Sequence, residues 1–197
     1  MSGACGARPI DTLTLQWKGT DMPRPAPSVA QALAQVPIAF GLRDVRPDPT
    51  MVGLQEDGNT VIKTPDNVAQ YASARMGEML RSAGARMDET AVAVIETDLA
   101  EYKVVEGGRF NGIVALRVTV RRGGSADWSK SYEGASKRWG RSHNPENFNE
   151  ALSNALADAT GKMFNDHAFA SALMAGQAPP ASAPPENGPP GAPPAGG

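Results

Sequence analysis

The 197-residue chain is poor in the residues that build metal centres and covalent frameworks. It has one cysteine, Cys5, and two histidines, His143 and His167. A single cysteine excludes an internal disulfide framework and any multi-cysteine zinc site, and two histidines disfavour a histidine-built metal centre. Aromatic residues make up only 6% of the sequence, and neither sign of charge dominates: 19 Lys and Arg against 21 Asp and Glu give a net charge of -2. Bulk electrostatic binding to nucleic acid is therefore disfavoured, because polyanions are met by strongly basic surfaces. No apolar run approaches the ~18 residues that a membrane-crossing helix needs. Glycine (21) and proline (17) are plentiful, and their placement punctuates the chain.

The most regular stretch runs from Thr90 to Trp139, three strand-like segments joined by two glycine-marked turns. In the middle segment Val114, Leu116, Val118 and Val120 alternate with Ala115, Arg117, Thr119 and Arg121, the period of two that marks a half-buried strand. Glu106-Gly107-Gly108-Arg109 precedes it and Arg122-Gly123-Gly124-Ser125 follows, and paired glycines suit tight hairpins. The first segment, Val92 to Leu99, alternates imperfectly, which predicts either a strand covered on both faces or one with a bulge. The third sets Trp128 and Tyr132 on one face with Lys130 between them.

Before this meander, Leu13, Leu15 and Trp17 alternate with polar residues and predict a short strand; Ile38, Phe40 and Leu42 predict a second, and Thr60 to Lys63 a further short one. The prolines of Met22 to Pro27 read as a break between the first two. Asp44-Val45-Arg46-Pro47-Asp48-Pro49 reads as a loop in which Asp44 and Arg46 form a local Asx turn with a surface ion pair, or bind a partner. Thr64-Pro65 opens a predicted helix with the apolar stripe Val68, Tyr71, Ala72, Met76, Met79, Leu80 and Ala83, ended by Gly84. Asn144-Pro145 opens another, with Phe148, Leu152, Ala155, Leu156, Ala159 and Met163 as its stripe and Phe169 and Leu173 in a separate last turn. The expected fold is α+β in the order β-β-α-β-β-β-α. An antiparallel sheet of about four to five strands carries two main helices on one face, between flexible termini. Residues 1–12 form the N-terminal tether, 13–175 the domain, and 176–197 a Pro/Ala/Gly-rich tail with too little apolar content to order itself.

Ser2-Gly3-Ala4-Cys5-Gly6 is similar to the end of a bacterial lipobox, in which the cysteine is acylated, although Ser2 stands where leucine is usual. A translation start upstream of Met1 is one explanation of the short leader; an incidental cysteine is the alternative. Taken with the strand running into Asp44-Val45-Arg46, the helix closing at Gly84, and the meander, the resemblance widens. It extends to Trp128-Ser129-Lys130-Ser131-Tyr132 and to the helix holding Asn147 and Ala151 to Leu156. Residues 5 to about 174 resemble the YajG family of bacterial outer-membrane lipoproteins. The resemblance implies an outer-membrane lipoprotein facing the periplasm, attached through acylated Cys5, and brings no catalytic residues. In outline the chain is also similar to periplasmic accessory lipoproteins that activate synthases or assist envelope transporters.

The function expected is a non-catalytic adaptor that binds a protein partner in the envelope. The alternative is a periplasmic binding module for an anionic envelope polymer or lipid, suggested by Lys130, Lys137, Arg138, Trp139, Arg141 and His143, a basic run enclosing an aromatic. With Asp44 and Arg46 these residues, His143 apart, are the candidate partner-binding positions. Catalysis is not expected. Glu96 and Asp98 share one strand face and Glu101 takes the other, and His143 has no nucleophile motif near it. No cofactor, metal, nucleic acid or small-molecule substrate is expected.

Overall fold

A computed structural model of the chain describes residues 10–123, 127–140 and 143–175. Cys5, Arg141 and the tail from 176 lie outside the described residues. The elements run α1 (Pro27–Gln35), β1 (Ile38–Asp44), β2 (Met51–Leu54), β3 (Val61–Lys63), α2 (Val68–Ser82), β4 (Ala93–Glu106), β5 (Phe110–Arg122), β6 (Trp128–Arg138), α3 (Pro145–Phe164) and α4 (His167–Met174).

The period-of-two segments become the long antiparallel meander β4-β5-β6. A bulge at Ala100 shifts the register between Leu99 and Glu101. It splits the inward set of β4 into Ala93, Ile95, Thr97 and Leu99, then Tyr102, Val104 and Glu106, all buried. The imperfect alternation of the sequence is thus a bulge, which re-aims a strand by one residue. On β5, Val114, Leu116, Val118 and Val120 are each at most 2% exposed.

The α+β class and the helices on one face are as expected, but the sheet is mixed and has six strands. The far edge of β4 is shared by two short strands that both run parallel to it: β1 along Ala93 to Leu99, and β2 at Val104 and Val105. Parallel pairing needs a long crossover, which the chain between β1 and β4 supplies; the local pattern of a short strand carries no sign of its partner's direction.

Three local readings are corrected. Pro27 does not break structure but stands at the start of α1, where its missing N–H is harmless, and Val29, Ala32, Leu33 and Val36 bury the helix face. The N-cap of α2 is Asn67, whose side chain accepts from Gln70 N–H at 2.9 Å, rather than Thr64. Leu13 to Trp17 does not join the sheet beyond a bridge at Thr12 and Lys63. Leu13 and Leu15 are buried, but the extended backbone is strapped by side chains. Leu15 N–H donates to Asp66 (2.7 Å), Gln16 N–H to Asn149 (2.9 Å), Lys18 N–H to Ser153 (2.9 Å) and Thr20 N–H to Asn154 (3.1 Å). Gly84 does sit past the end of α2 with φ 93°, and α3 and α4 carry the expected Asn144 cap and a break at Asp166.

Packing of α3 on β5 and β6 is unusually close. A Cβ on Gly134 would lie 2.6 Å from Ala159 N and 2.8 Å from Ala159 Cβ, and one on Gly112 would lie 2.6 Å from Ser136 Oγ and 2.7 Å from the Ala151 carbonyl carbon. The helix therefore rests its Ala151, Ala155 and Ala159 stripe, all fully buried, directly on sheet backbone.

Candidate functional site

The structure separates the residues singled out by sequence into three places. Asp44 and Arg46 form an internal bracket rather than a surface pair, with side chains 10% and 6% exposed. Arg46 Nε and Nη2 donate to the two carboxylate oxygens at 2.9 and 2.7 Å, and the Arg46 N–H closes the expected Asx turn on Asp44 at 3.1 Å. The remaining guanidinium protons reach the carbonyls of Pro49 (2.6 Å), Met51 (2.7 Å) and Tyr102 (3.0 Å). Those carbonyls lie where β1 leaves the edge of β4 and β2 has yet to join it, so Arg46 splices a gap in the ladder. Arginine offers five donors in a fixed fork, and all five are used here.

Lys130 is the second place. Its Nζ meets Asp166 Oδ2 at 2.8 Å, and Tyr132 Oη donates to the same oxygen at 2.7 Å. Asp166 caps α4 through Ala168 N–H at 2.9 Å, so β6 holds the last helix in place. Trp128 continues this contact, its ring 6.1 Å from that of Phe169. Burial works against ionisation of Asp166, but Lys130, Tyr132 and the Ala168 N–H outweigh it and hold its carboxyl below the usual range. A carboxyl with a lowered folded pKa gives stability above its unfolded value, ~3.9, and loses it as pH falls through the folded value. The stability difference between the native chain and Asp166→Asn, which keeps a capping acceptor, is expected to shrink towards zero in urea titrations taken from pH 7 to below pH 3. A gap independent of pH would assign the loss to packing.

The third place is an exposed cluster at one end of the sheet. Trp139, 62% exposed, follows β6, and the guanidinium of Arg109 lies 4.3 Å from its ring centroid. Arg109 belongs to the β4–β5 turn and was not singled out. The pairing of Phe110 with Arg138 brings the flanking residues Arg109 and Trp139 together, a juxtaposition that hairpin register alone could have shown. Lys137 stands beside them, exposed, with no ion pair among the described residues, whereas Arg138 is held by Glu150 at 2.7 Å. Beneath the cluster the chain turns over buried Glu106. Its Oε1 accepts from His143 N–H at 2.9 Å, and its Oε2 is 3.6 Å from His143 Nδ1. His143 adopts φ 57° there. An arginine stacked on an exposed tryptophan is a rigid, amphipathic and positively charged platform, suited to recognition.

Among the described residues no group of three or more His, Cys, Asp or Glu is placed to hold a metal ion, and no helix is long and apolar enough to cross a membrane. A family model described as uncharacterized lipoprotein matches residues 23–174. The chain belongs to that lipoprotein family. The match spans every helix and strand from α1 to α4. No curated protein matches the chain. Among solved structures, a Xanthomonas campestris protein of the family DUF330 is similar at TM-score 0.55 and 12% identity, covering 78% of this chain and 92% of that one. PelC from Paraburkholderia phytofirmans, a dodecamer, aligns at TM-score 0.40 and 17% identity over 74% of this chain and 93% of its own. The first of these likenesses is one of fold.

Proposed function

We propose that this lipoprotein is a non-catalytic adaptor of the bacterial envelope. In this reading it is YajG-like, attached to the outer membrane through acylated Cys5, and it binds a protein partner in the periplasm through the Arg109–Trp139 platform. The observation that carries the reading is the 62% exposed Trp139 stacked on Arg109. Tryptophan and arginine are the residues most enriched at the energetic centres of protein interfaces, and a monomer gains nothing by leaving that area open to water. The Asp44–Arg46 pair, by contrast, spends its polar groups inside the fold, and Lys130, though half exposed, is held by Asp166. The partner surface would be acidic. A second reading draws on the same charge: Lys137 and Arg109 beside an aromatic face would also suit an anionic envelope polymer or lipid headgroup.

Two measurements test this. Expression with the native upstream DNA should give a membrane-bound product whose intact mass begins at Cys5 with added acyl chains, since doubly or triply acylated anchors hold stably. A soluble, unmodified chain retaining Met1 or Ser2 would sink the anchoring. A photo-crosslinking residue at Trp139 should trap one protein species in whole cells that a probe at exposed Gln35 does not. Crosslinks to lipid or polysaccharide alone would favour the second reading.

A further inference from the structure

The mixed sheet has three outer edges, and two of them are engaged in part by other elements. At β6, Ala135 N–H donates to Asp158 at 2.9 Å and the Glu133 carbonyl accepts from Lys162 at 2.7 Å, both from α3. At β3, Lys63 is paired on both sides of the strap by Leu13 N–H (2.8 Å) and Asp11 O (2.9 Å). Proteins blunt their edges in this way because an open ladder recruits another strand.

The β1 edge is not closed. Ile38 bonds outward to the segment 86–88, donating to Arg86 O and accepting from Asp88 N–H, each at 2.9 Å. Backbone groups of a strand alternate between its two edges, so Phe40, Leu42 and Asp44 point the same way, while Ala39, Gly41 and Arg43 bond towards β4. Val45 N–H, which donates to Leu99 O at 3.1 Å, keeps that alternation. Among the described residues nothing bonds to the outward N–H and C=O groups of Phe40, Leu42 and Asp44. The side chains of Phe40 and Leu42 are only half-buried along this edge.

On the outer face of the sheet the same strand is self-complementary. Gly41 has no side chain, and it floors a hollow of about 290 Å³ lined also by Leu42, Arg43, Glu96, Thr97 and Asp98. Arg43 projects beside it, 75% exposed, touching Asp98 at 2.7 Å. We propose that two copies of this chain join two-fold symmetrically along β1, antiparallel and centred on Leu42. In that register Leu42 faces the copy's Leu42 and Phe40 faces the copy's Asp44, which uses the open groups. The occupied Ile38 stays outside the ladder. Gly41 then faces the copy's Arg43, whose guanidinium enters the hollow beside Asp98 and Glu96, the latter already meeting Arg121 at 3.1 Å. An isologous contact makes every such pair twice. A one-step slip would point closed edges at each other, and centring on Gly41 would drive the copy's Asp44 against the 86–88 segment. This pairing is independent of the Arg109–Trp139 platform and of whatever that platform binds.

The test is sedimentation velocity of the full chain under reducing conditions across a range of concentrations, with hydrogen exchange read at Phe40, Leu42 and Asp44. The expected result is a monomer–dimer equilibrium, with slow exchange at those three amides when dimeric. Gly41→Lys sets a cation against the copy's Arg43, and a Cβ at this position meets nothing within 4 Å in the monomer. It should raise the dissociation constant at least about tenfold without lowering the melting temperature. Leu42→Pro, which removes an outward N–H at an edge that tolerates proline, should abolish pairing. Ser131→Lys, exposed on the same face but out on β6, should change neither. A chain that stays monomeric, or a dimer indifferent to Gly41→Lys, overturns the proposal. So does a monomer whose β1 amides are protected only when another envelope protein is added, which would make that protein's strand the occupant.

Discussion

Gly134→Val is expected to leave no cooperative unfolding transition, and Gly134→Ala to cost more than the ~1–3 kcal/mol of ordinary overpacking. The new Cβ of either variant would press on Ala155 O and lie 2.6 Å from Ala159 N. These are helix backbone atoms and have no rotamer to escape into. Relief requires α3 to lift off β6, and α3 carries Phe148, Leu152, Leu156, Met163 and Phe164, all buried to 1% or less. A lift of even ~0.5–1 Å forfeits a quarter to a half of each dispersion contact along the seam. Against a total stability of ~5–15 kcal/mol that loss is decisive. Thermal melts by circular dichroism, with Gly41→Ala as the control in open space, measure it. A Gly134→Ala chain melting with the native protein would mean that α3 does not sit on β6 as described.

Arg46→Met should cost about 3–5 kcal/mol, because it strands the Asp44 carboxylate in a buried site without its counter-ion. It also takes their donor from the sheltered carbonyls of Met51 (2.7 Å) and Tyr102 (3.0 Å) and from the exposed carbonyl of Pro49 (2.6 Å), and each buried group left unsatisfied adds to the loss. Arg46→Lys should recover only part of this, since three ammonium donors cannot reproduce a planar fork that serves a bidentate carboxylate and three carbonyls. The double change Asp44→Leu with Arg46→Met is expected to be milder than Arg46→Met alone, because no charge is then left buried. Urea denaturation of the native chain, Arg46→Met, Asp44→Leu and the double variant closes the cycle, with Arg46→Lys measured beside them. An Arg46→Met chain within about 0.5 kcal/mol of native, the range of ordinary surface changes, would place the pair in solvent after all.

How much of this was legible follows from what each signal depends on. The meander could be read because its strands are long and half-buried, so every other residue of β5 reports the same face. The α2 and α3 stripes were legible for the same reason at helical spacing, whereas α4 was read only as a separate last turn holding Phe169 and Leu173. Helix α1 was not, since the prolines before it outweighed Val29, Ala32, Leu33 and Val36, although Pro27 was itself a start signal. Leu13 and Leu15 alternate because one side faces the core, yet their ladder is made of Asp66, Asn149 and Ser153 side chains, and burial periodicity cannot tell such a strap from a strand. Arg46 read as a surface charge because its burial depends on β4, remote in sequence, whose Tyr102 carbonyl it reaches across the gap between β1 and β2. Of the basic run, sequence placed Lys137, Arg138 and Trp139 together but could not show that Lys130 is spent on Asp166.

The strap has a consequence for reach. Just ahead of it the Ile10 carbonyl accepts from the Gln55 side chain in the β2–β3 turn. Leu54 of β2 pairs beside Val105, so that turn lies at the same end of the sheet as the Gly107-Gly108 tip and Arg109. Between Cys5 and Ile10 the leash can extend at most ~18 Å. An acyl chain at Cys5 would therefore moor the domain by the end that bears Trp139. The platform could then meet only what lies within a shallow layer next to the bilayer, and the open β1 edge would be carried deeper into the periplasm.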